Sequence, residues 1–512
     1  MKKIRQLLIF SFFLCSLLTA QNSEFDFMHS ASFKFSNGVP FIRAHIKSYP
    51  AGIEVKNVSS FECNGKKIDA GSFSISVKKF TPQEVMYKLS FQELSLTELK
   101  AYSGILSKWV QDTGVDVEIY VHGAIFSIST LKIDNREYYI AAKEMFNKET
   151  AYKMLAKYRI LFPEKNISLI PVMTRPSSSV VKVKANNGRN YECSNIVTIH
   201  NKTFFNAGND RYGSNAAFFF TASSNKTMEL SIEDSVENLV KQILPGEMFL
   251  SAPLETLKAQ AVAARTDIFM QLGKRHVSEP WHICSEVHCQ KILWGKEIDP
   301  KFVTAVKETE GMVIMYKGSH IARAPYCSSA GGRTEDIRHV WFSAEKAYLK
   351  GVWDGETPLE LDLSKEDDLK KFLGSDYGED KIPMNRKHRW VVTYKQEELD
   401  EIVNKSLNIG TIHSIEALAR GVSGRIYKAV FKGSGGTETV YGELNIRKIL
   451  NNMSSSAFIV SKVDSMWTFS GAGWGHGVGM SQMGAISLGG KNKDFKYILR
   501  RYYPGTEATK IY

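Results

Sequence analysis

EDSVENLVKQILPGEMFLSAPLETLKAQAVAARTDI, residues 233–268, is the stretch that sets the fold class. Val236, Leu239, Val240, Ile243 and Leu244 recur three and four residues apart, which predicts a helix over Glu233–Leu244. Asp234 with Glu237 three residues on reads as a capping box, and Pro245-Gly246 reads as the stop. A second helix starts near Pro253, with Leu254, Leu257, Ala261, Ala264 and Ile268 on one face and enough alanines for close packing. Further along, Met312–Tyr316 reads as a strand. Ile415–Arg420 and Arg425–Lys432, joined by Gly421-Val-Ser-Gly424, read as an antiparallel hairpin. Helices mixed with antiparallel strands predict an α+β fold.

Upstream, from about Phe33 to Lys184, the pattern is short strands with one clear helix. Val115–Ser129, Tyr138–Ala142 and Ile167–Val172 read as strands, and Lys148–Arg159 reads as a helix with Ala151, Met154, Leu155 and Tyr158 on one face. This strand–helix–strand unit weakly resembles a SPOR-type glycan-binding module, and better suits an ordinary αβ packing unit. Thr174-Arg-Pro-Ser-Ser-Ser179 reads as a linker. The expected division is therefore an export segment at 1–20, an αβ region at 25–184 and a third region at 190–512.

The first twenty residues read as a secretory signal peptide. Lys2, Lys3 and Arg5 precede an apolar run from Leu7 to Ala20, which is short for a membrane span. Leu14 before Cys15 argues against a lipoprotein box. The chain has 512 residues, 23% of them charged and 43% hydrophobic, which excludes disordered and collagenous classes. Its net charge is 66 − 54 = +12, and cleavage near Ala20 would leave 12 − 3 = +9. An exported protein with that surplus suits an anionic polymer outside the cell better than nucleic acid. Six cysteines are too few for a disulfide scaffold of this size. Cys63 and Cys193 sit in similar contexts, Phe-Glu-Cys and Tyr-Glu-Cys. They fit a disulfide or two buried thiols equally well.

Three segments carry chemistry. Glu247 follows the Pro-Gly stop and is flanked by Leu244, Met248, Phe249 and Leu250. Apolar surroundings penalise its ionised form and raise its pKa, as a general acid needs; the plainer role is to favour the positive end of the next helix. Residues 276–289 then gather His276, His282, Cys284, His288 and Cys289. Cys284, His288 and Cys289 with His276 or His282 could hold zinc, Cys284 and Cys289 could form a disulfide, or a thiolate could pair with His288. Lastly, Tyr326-Cys-Ser328-Ser329-Ala-Gly-Gly-Arg-Thr-Glu335 and Gly471-Ala-Gly-Trp-Gly-His476-Gly-Val-Gly-Met-Ser481-Gln482 are glycine-rich loops bearing hydroxyls, an imidazole and an amide. The second is neither a phosphate loop nor a dinucleotide fingerprint, since the Gly-Lys-Ser/Thr and the strand–turn–helix context are missing. Both suit a hydroxyl-rich ligand.

In this order, Leu244-Pro-Gly-Glu247-Met248, Leu254 through Thr266, Cys284 through Gln290, Tyr326 through Glu335 and Gly473 through Gln482 resemble the SpoIID (stage II sporulation protein D, or LytB-type) family, from about Tyr191 to the C-terminus. The resemblance implies an exported peptidoglycan lytic transglycosylase. Such enzymes cleave the bond between N-acetylmuramic acid and N-acetylglucosamine and leave 1,6-anhydro ends. It implies that Glu247 is the catalytic acid and base. It implies zinc, structural in role, at His276, Cys284, His288 and Cys289, with His282 as the alternative to His276. It also implies substrate contacts from Tyr326, Ser328, Ser329, His476, Ser481 and Gln482. The departure is Phe249, where the family usually has proline. A second role among such proteins is noncatalytic: a wall-binding enhancer of a peptidoglycan amidase. Zinc hydrolysis would need an open coordination position, which a four-ligand protein site lacks.

Overall fold

The computed structural model describes residues 34–512 apart from 129, 201–203, 214, 215, 287, 288, 296, 376 and 379. The expected export segment, Cys15 with it, and His288 lie outside the described residues. Helices and mostly antiparallel sheets alternate along the chain, an α+β fold as the sequence predicts. Among the described residues no helix is long and apolar enough to cross a membrane.

Two sheets share the first buried core. In one, strand Val39–Pro50 pairs with Thr227–Ser235, which continues through Ala217–Ser224 and Ile196–His200 to Ser60–Cys63. In the other, Ser178–Ala185 lies between Ser72–Thr81 and Asn190–Ser194. Phe61, Phe73, Ile75, Val181, Val197, Phe218 and Leu230 share one buried core. Cys63 in one sheet is disulfide-bonded to Cys193 in the other, so the bond staples the two together across 130 residues of chain.

This wiring corrects two expectations. Strands from the first eighty residues pair with strands beyond 178, so the chain does not divide into separate units near 184–190. The expected linker is also mostly strand: Ser168–Arg175 and Ser178–Ala185 leave only Pro176 and Ser177 between them.

Between the paired strands Ser72–Thr81 and Ser178–Ala185 lies an insertion that carries a four-stranded sheet of its own, while its hairpin Ile125–Ile128 and Leu131–Asp134 joins a sheet with Met312–Tyr316, His320–Ile321 and Thr506–Lys510. The four strands of that first sheet are ordered Ser168–Arg175, Glu84–Leu94, Glu137–Ala142, Val117–His122, all antiparallel. Helices Tyr102–Thr113 and Lys148–Leu161 pack on one face through Trp109, Ala151, Leu155 and Tyr158, against Leu89, Phe91 and Ile140. This is the β-α-β-β-α-β split sandwich. The first of these helices is absent from the sequence reading. The sheet's other face turns inward. There Glu137 meets Arg323 at 2.6 Å and Lys274 at 3.3 Å, and Glu93 meets Lys346 at 2.6 Å. Paired cations hold the buried Glu137 carboxyl well below the usual range despite its desolvation.

Helix α1, Val236–Glu247, follows strand Thr227–Ser235 directly, and helix α2 spans Leu254–Gln271. Ser235 rather than Asp234 caps α1, its hydroxyl accepting from the Asn238 N–H. Glu237 makes no capping box. It accepts two hydrogen bonds from the fully buried Arg265, at 2.9 and 2.7 Å, and this bidentate pair locks α1 onto α2. Nor does Pro245-Gly246 end α1, which runs on to Glu247. A third helix, α3 at Gln482–Gly490, packs on α2 where Thr256 donates to the Ala485 carbonyl.

Candidate active site

Glu247 ends α1, and segments remote in sequence close around it. Gly246 explains one approach. A Cβ at this position would stand 2.5 Å from the Lys291 carbonyl oxygen, so only glycine admits residue 291 so near. That proximity lets the Lys291 N–H donate to Glu247 Oε1 at 3.0 Å. From α3, Gln482 Nε2 donates to the Glu247 backbone carbonyl at 3.1 Å and stands 3.4 Å from Gln260 Oε1 on α2. Gln290 joins the group: its Nε2 donates to the Ala264 carbonyl at 3.2 Å, while its Oε1 accepts from the Tyr326 hydroxyl at 2.9 Å.

The two glycine-rich loops are bound to each other. Strands Tyr326–Cys327 and Met480–Ser481 pair in parallel, Tyr326 opposite Met480. Gly479, at φ +75°, lies against the Pro325 carbonyl with no space for a side chain. The sequence thus brings Glu247, Tyr326 and Gln482 together, although 235 residues separate the first from the last.

Burial raises the Glu247 pKa, and the Lys291 N–H and ammonium oppose it only in part. The carboxyl therefore holds its proton to higher pH than an exposed glutamate does. The Tyr326 hydroxyl is pushed well above its ordinary value by burial, then by the negative charges of Glu247 and Asp267. It stays a neutral donor.

The other expected contact residues separate into two groups. Ser329 and Ser481 are fully buried. Ser329 Oγ donates to Asp380 at 2.6 Å, and Ser481 caps α3 while accepting from the Ala330 N–H at 3.1 Å. The Ser481 hydroxyl joins the two loops and the Ser329 hydroxyl ties the first loop to Asp380, so both are buried inside the protein rather than presented to a ligand as the sequence reading expects. Ser328 is half-buried, and its carbonyl accepts from the Met483 N–H. His476 is half-buried, with Nδ1 accepting from the Val478 N–H at 3.0 Å. Burial, with Arg425 and Arg447 nearby, lowers its pKa to about 3, so the imidazole is neutral. Its ring centroid lies 4.9 Å from that of Trp341. Phe249, beside the acid, is 54% exposed.

Sequence reasoning missed Gln260, Gln290 and Lys291 as site residues. A signal existed for one of them: Gln260 is a polar residue on the buried face of an alanine-rich helix, where an amide needs a partner. Among the described residues its Nε2 has none.

His276, Cys284 and Cys289 bring their ligand atoms within 4.8 Å of one another. Cys284 is placed by strand Ile283–Cys284, which runs parallel to Val39–Pro50. His276 Nε2 is 3.3 Å from Cys289 Sγ, and its Nδ1 accepts from the Trp281 N–H at 3.2 Å. Neither thiol is in a disulfide. Burial and the neighbouring Cys284 push the Cys289 thiol up to about 12, which a bound cation would reverse. His282 faces elsewhere: its Nδ1 accepts from the Arg43 N–H and its Nε2 meets the Arg43 guanidinium, both at 3.1 Å. The geometry thus favours His276 over His282 as a ligand, and the donor set of two sulfurs and one nitrogen fits zinc. Cys289 immediately precedes Gln290 and Lys291, the residues that reach Tyr326 and Glu247.

Residues 224–316 match the SpoIID family model, described as a stage II sporulation protein. Residues 335–479 match a domain of unknown function (DUF8618). The chain is 30% identical over 297 residues to an amidase enhancer of Bacillus subtilis (strain 168), an alignment covering 53% of this chain and 40% of the enhancer. It is 27% identical over 303 residues to the stage II sporulation protein D of the same organism, covering 56% of this chain and 78% of that protein. An uncharacterized protein of Brachyspira hyodysenteriae is 28% identical over 298 residues, covering 55% and 69% respectively. The chain therefore spans less than half the length of the enhancer.

Proposed function

The chain belongs to the SpoIID family, and on that premise we propose that it is an exported peptidoglycan lytic transglycosylase with Glu247 as its single acid and base. The observation that carries this reading is a partly buried carboxyl with a raised pKa, held by a backbone N–H at 3.0 Å and ringed by side-chain amides and a neutral tyrosine. In the acid form, Glu247 donates its proton to the glycosidic oxygen between N-acetylmuramic acid and N-acetylglucosamine as the C1–O bond breaks. The resulting carboxylate takes the proton of the muramyl C6 hydroxyl as that oxygen bonds to C1. One proton leaves and one returns, no water is consumed, and the product is the 1,6-anhydro end. A two-carboxylate glycosidase would instead use a second acidic residue to activate water or attack the sugar.

His276, Cys284 and Cys289 would hold zinc, with His288, which lies outside the described residues, as the expected fourth ligand. The ion would fix the 284–289 segment and so set Gln290 and Lys291 beside the acid, without touching substrate. In this reading Tyr326, His476 and Gln482 line the sugar path and Phe249 flanks it, because an exposed aromatic ring suits the apolar face of a pyranose.

A second reading draws on the relative named as an amidase enhancer: a noncatalytic protein that binds the wall and stimulates a peptidoglycan amidase. Digestion of denuded glycan strands, with product ends examined by mass spectrometry, separates the two. Anhydro-muramic ends that vanish in Glu247→Gln support the transglycosylase. Intact glycan together with a stimulated amidase supports the enhancer and sinks the first reading.

A further inference from the structure

The inserted unit lies outside both family matches. Its apolar core, built on Leu89, Phe91, Trp109 and Ile140, is a cluster of its own. The hairpin Ile125–Ile128 and Leu131–Asp134 carries Ile128 and Ile133 into the main core. The four-stranded sheet instead meets the molecule through charges, and two cavities of about 1030 and 680 Å³ lie along that contact.

Two buried carboxylates on neighbouring strands carry that contact, Glu93 standing opposite Tyr139 two residues beyond Glu137. Glu137 meets Arg323 at 2.6 Å and Lys274 at 3.3 Å, and Arg323 Nη1 also donates to Ser343 Oγ at 3.2 Å. Glu93 accepts from Lys346 at 2.6 Å and from the Ala344 N–H at 3.3 Å. Arg323, Ala344 and Lys346 lie in irregular stretches, 322–325 and 342–346, before and after the short helix Ile337–Trp341. Both stretches lead to Tyr326. From Arg323 the chain runs to Pro325, whose carbonyl accepts from the Met480 N–H at 3.1 Å and from the Tyr503 hydroxyl at 2.7 Å, and then to Tyr326 itself. Next to the second stretch, Trp341 packs on His476 with ring centroids 4.9 Å apart, and His476 is hydrogen-bonded to the Tyr326 backbone. Buried ion pairs add little net stability over apolar packing, so their use at this contact points to geometry.

We propose that Glu137 and Glu93 are positioning residues: the inserted unit grips the segments on both sides of helix Ile337–Trp341 and through them sets the Tyr326 hydroxyl against Gln290. The inserted unit is thereby a working part of the site and not an appended module. The effect on turnover rests on the glycan-cleaving reading above; the effect on the Tyr326 segment stands apart from it.

The test is hydrogen–deuterium exchange of the full-length protein, read by mass spectrometry, alongside the rate of anhydro-muramic end formation on denuded strands. Glu137→Gln keeps the shape of the side chain and removes its charge. Exchange across residues 322–328 should quicken about tenfold, while strand Thr227–Ser235 keeps the parent's protection. The kcat should fall about tenfold with KM within about twofold, because misplacing a group beside the reacting atoms slows turnover more than it weakens binding. Lys153→Gln, which breaks an exposed pair with Glu149 on the unit's outer helix, is the control and should match the parent in both readouts. Parent-like exchange across 322–328 in Glu137→Gln overturns the proposal. So does a quickening spread equally over the sheets, which marks general destabilisation. If Glu137→Gln does not fold, Arg323→Lys decides in its place. There Glu137 keeps a cationic partner while the bond to Ser343 is lost, so local quickening supports the proposal and parent-like exchange overturns it. The two readings fail separately. A wild-type protein that makes no anhydro ends, with local quickening in the variant, refutes the transglycosylase and leaves the positioning role standing. Anhydro ends formed by Glu137→Gln at the parent's kcat refute the positioning role alone.

Discussion

Gly246→Ala puts the packing around the acid to a quantitative test. In a helix, alanine in place of glycine ordinarily stabilises by about 0.5–1 kcal/mol. Here the new Cβ would stand 2.5 Å from the Lys291 carbonyl oxygen, where ordinary contact begins at 3.4 Å, so that strand of backbone must retreat by 3.4 − 2.5 = 0.9 Å. Overpacking of this kind costs about 1–3 kcal/mol, which outweighs the helix gain, so the variant should melt lower. The larger effect falls on catalysis. Residue 291 carries the N–H bonded to Glu247, and its neighbour Gln290 holds Tyr326. Displacement of reacting groups by about 1 Å costs on the order of a hundredfold in rate. Loss of an N–H that favours the carboxylate raises the Glu247 pKa further. The alkaline limb of the kcat/KM profile, which reports the protonated acid, should therefore move to higher pH. The assay is the yield of anhydro-muramic ends from denuded strands across pH, with thermal melting alongside. Gly490→Ala, at the end of α3 with nothing within 4 Å, is the control and should be neutral. A Gly246→Ala protein as active and as stable as this control would refute the close-approach argument.

Glu247→Gln should abolish anhydro ends yet raise the melting temperature at neutral pH. A carboxyl whose folded pKa is raised destabilises the fold once ionised, so the gain should fade as pH falls below the unfolded carboxyl value; a gain that persists there contradicts the sign. Cys63→Ser should lower stability by about 2–5 kcal/mol, as closure of so long a loop implies, and denaturant melts with and without reductant will converge if the disulfide contributes nothing. Metal analysis of the purified protein should find zinc lost in Cys284→Ser and His276→Ala but retained in His282→Ala, whose ring is engaged by Arg43; zinc lost only in His282→Ala reverses the assignment.

The helices around the acid were legible because their apolar residues repeat at helical spacing. The misreading of Pro245-Gly246 as a stop has a local cause. In the last turn proline forfeits a single hydrogen bond, and the burial of Leu244 and Met248 holds the turn closed. The Ser-rich segment at 174–179 reads as a linker by composition, but its strands are made by partners about ninety residues upstream, which no local pattern announces. The same holds for the division near residue 184. Adjacent sequence says nothing of Val39–Pro50 pairing with Thr227–Ser235. Glu247, Tyr326 and Gln482 could be named from their motifs. Ser329 and Ser481 lie in the same motifs, but their burial depends on Asp380 and Ala330, contributed by other segments. A motif marks where a site is and leaves open which of its atoms face the ligand.

A single carboxyl that gives and then recovers a proton must reach two oxygens in turn without wandering. Glu247 is restrained accordingly at three points: by the end of α1, by the Lys291 N–H at one carboxyl oxygen, and by Gln482 at its own carbonyl. Two of these restraints come from outside α1, and each is fixed by something remote. Gln482 is set by Ser481, which caps α3 and is bound to the Tyr326 loop through Ala330. Lys291 packs against Gly246 and follows Cys289 of the His/Cys cluster by two residues. In the proposed reaction an ion held by the His/Cys cluster would act through two residues of chain. Removing a ligand should disturb the acid's surroundings far more than the global fold, whose sheets are stapled elsewhere by Cys63 and Cys193. That asymmetry separates a structural ion near the site from one that merely stabilises the protein.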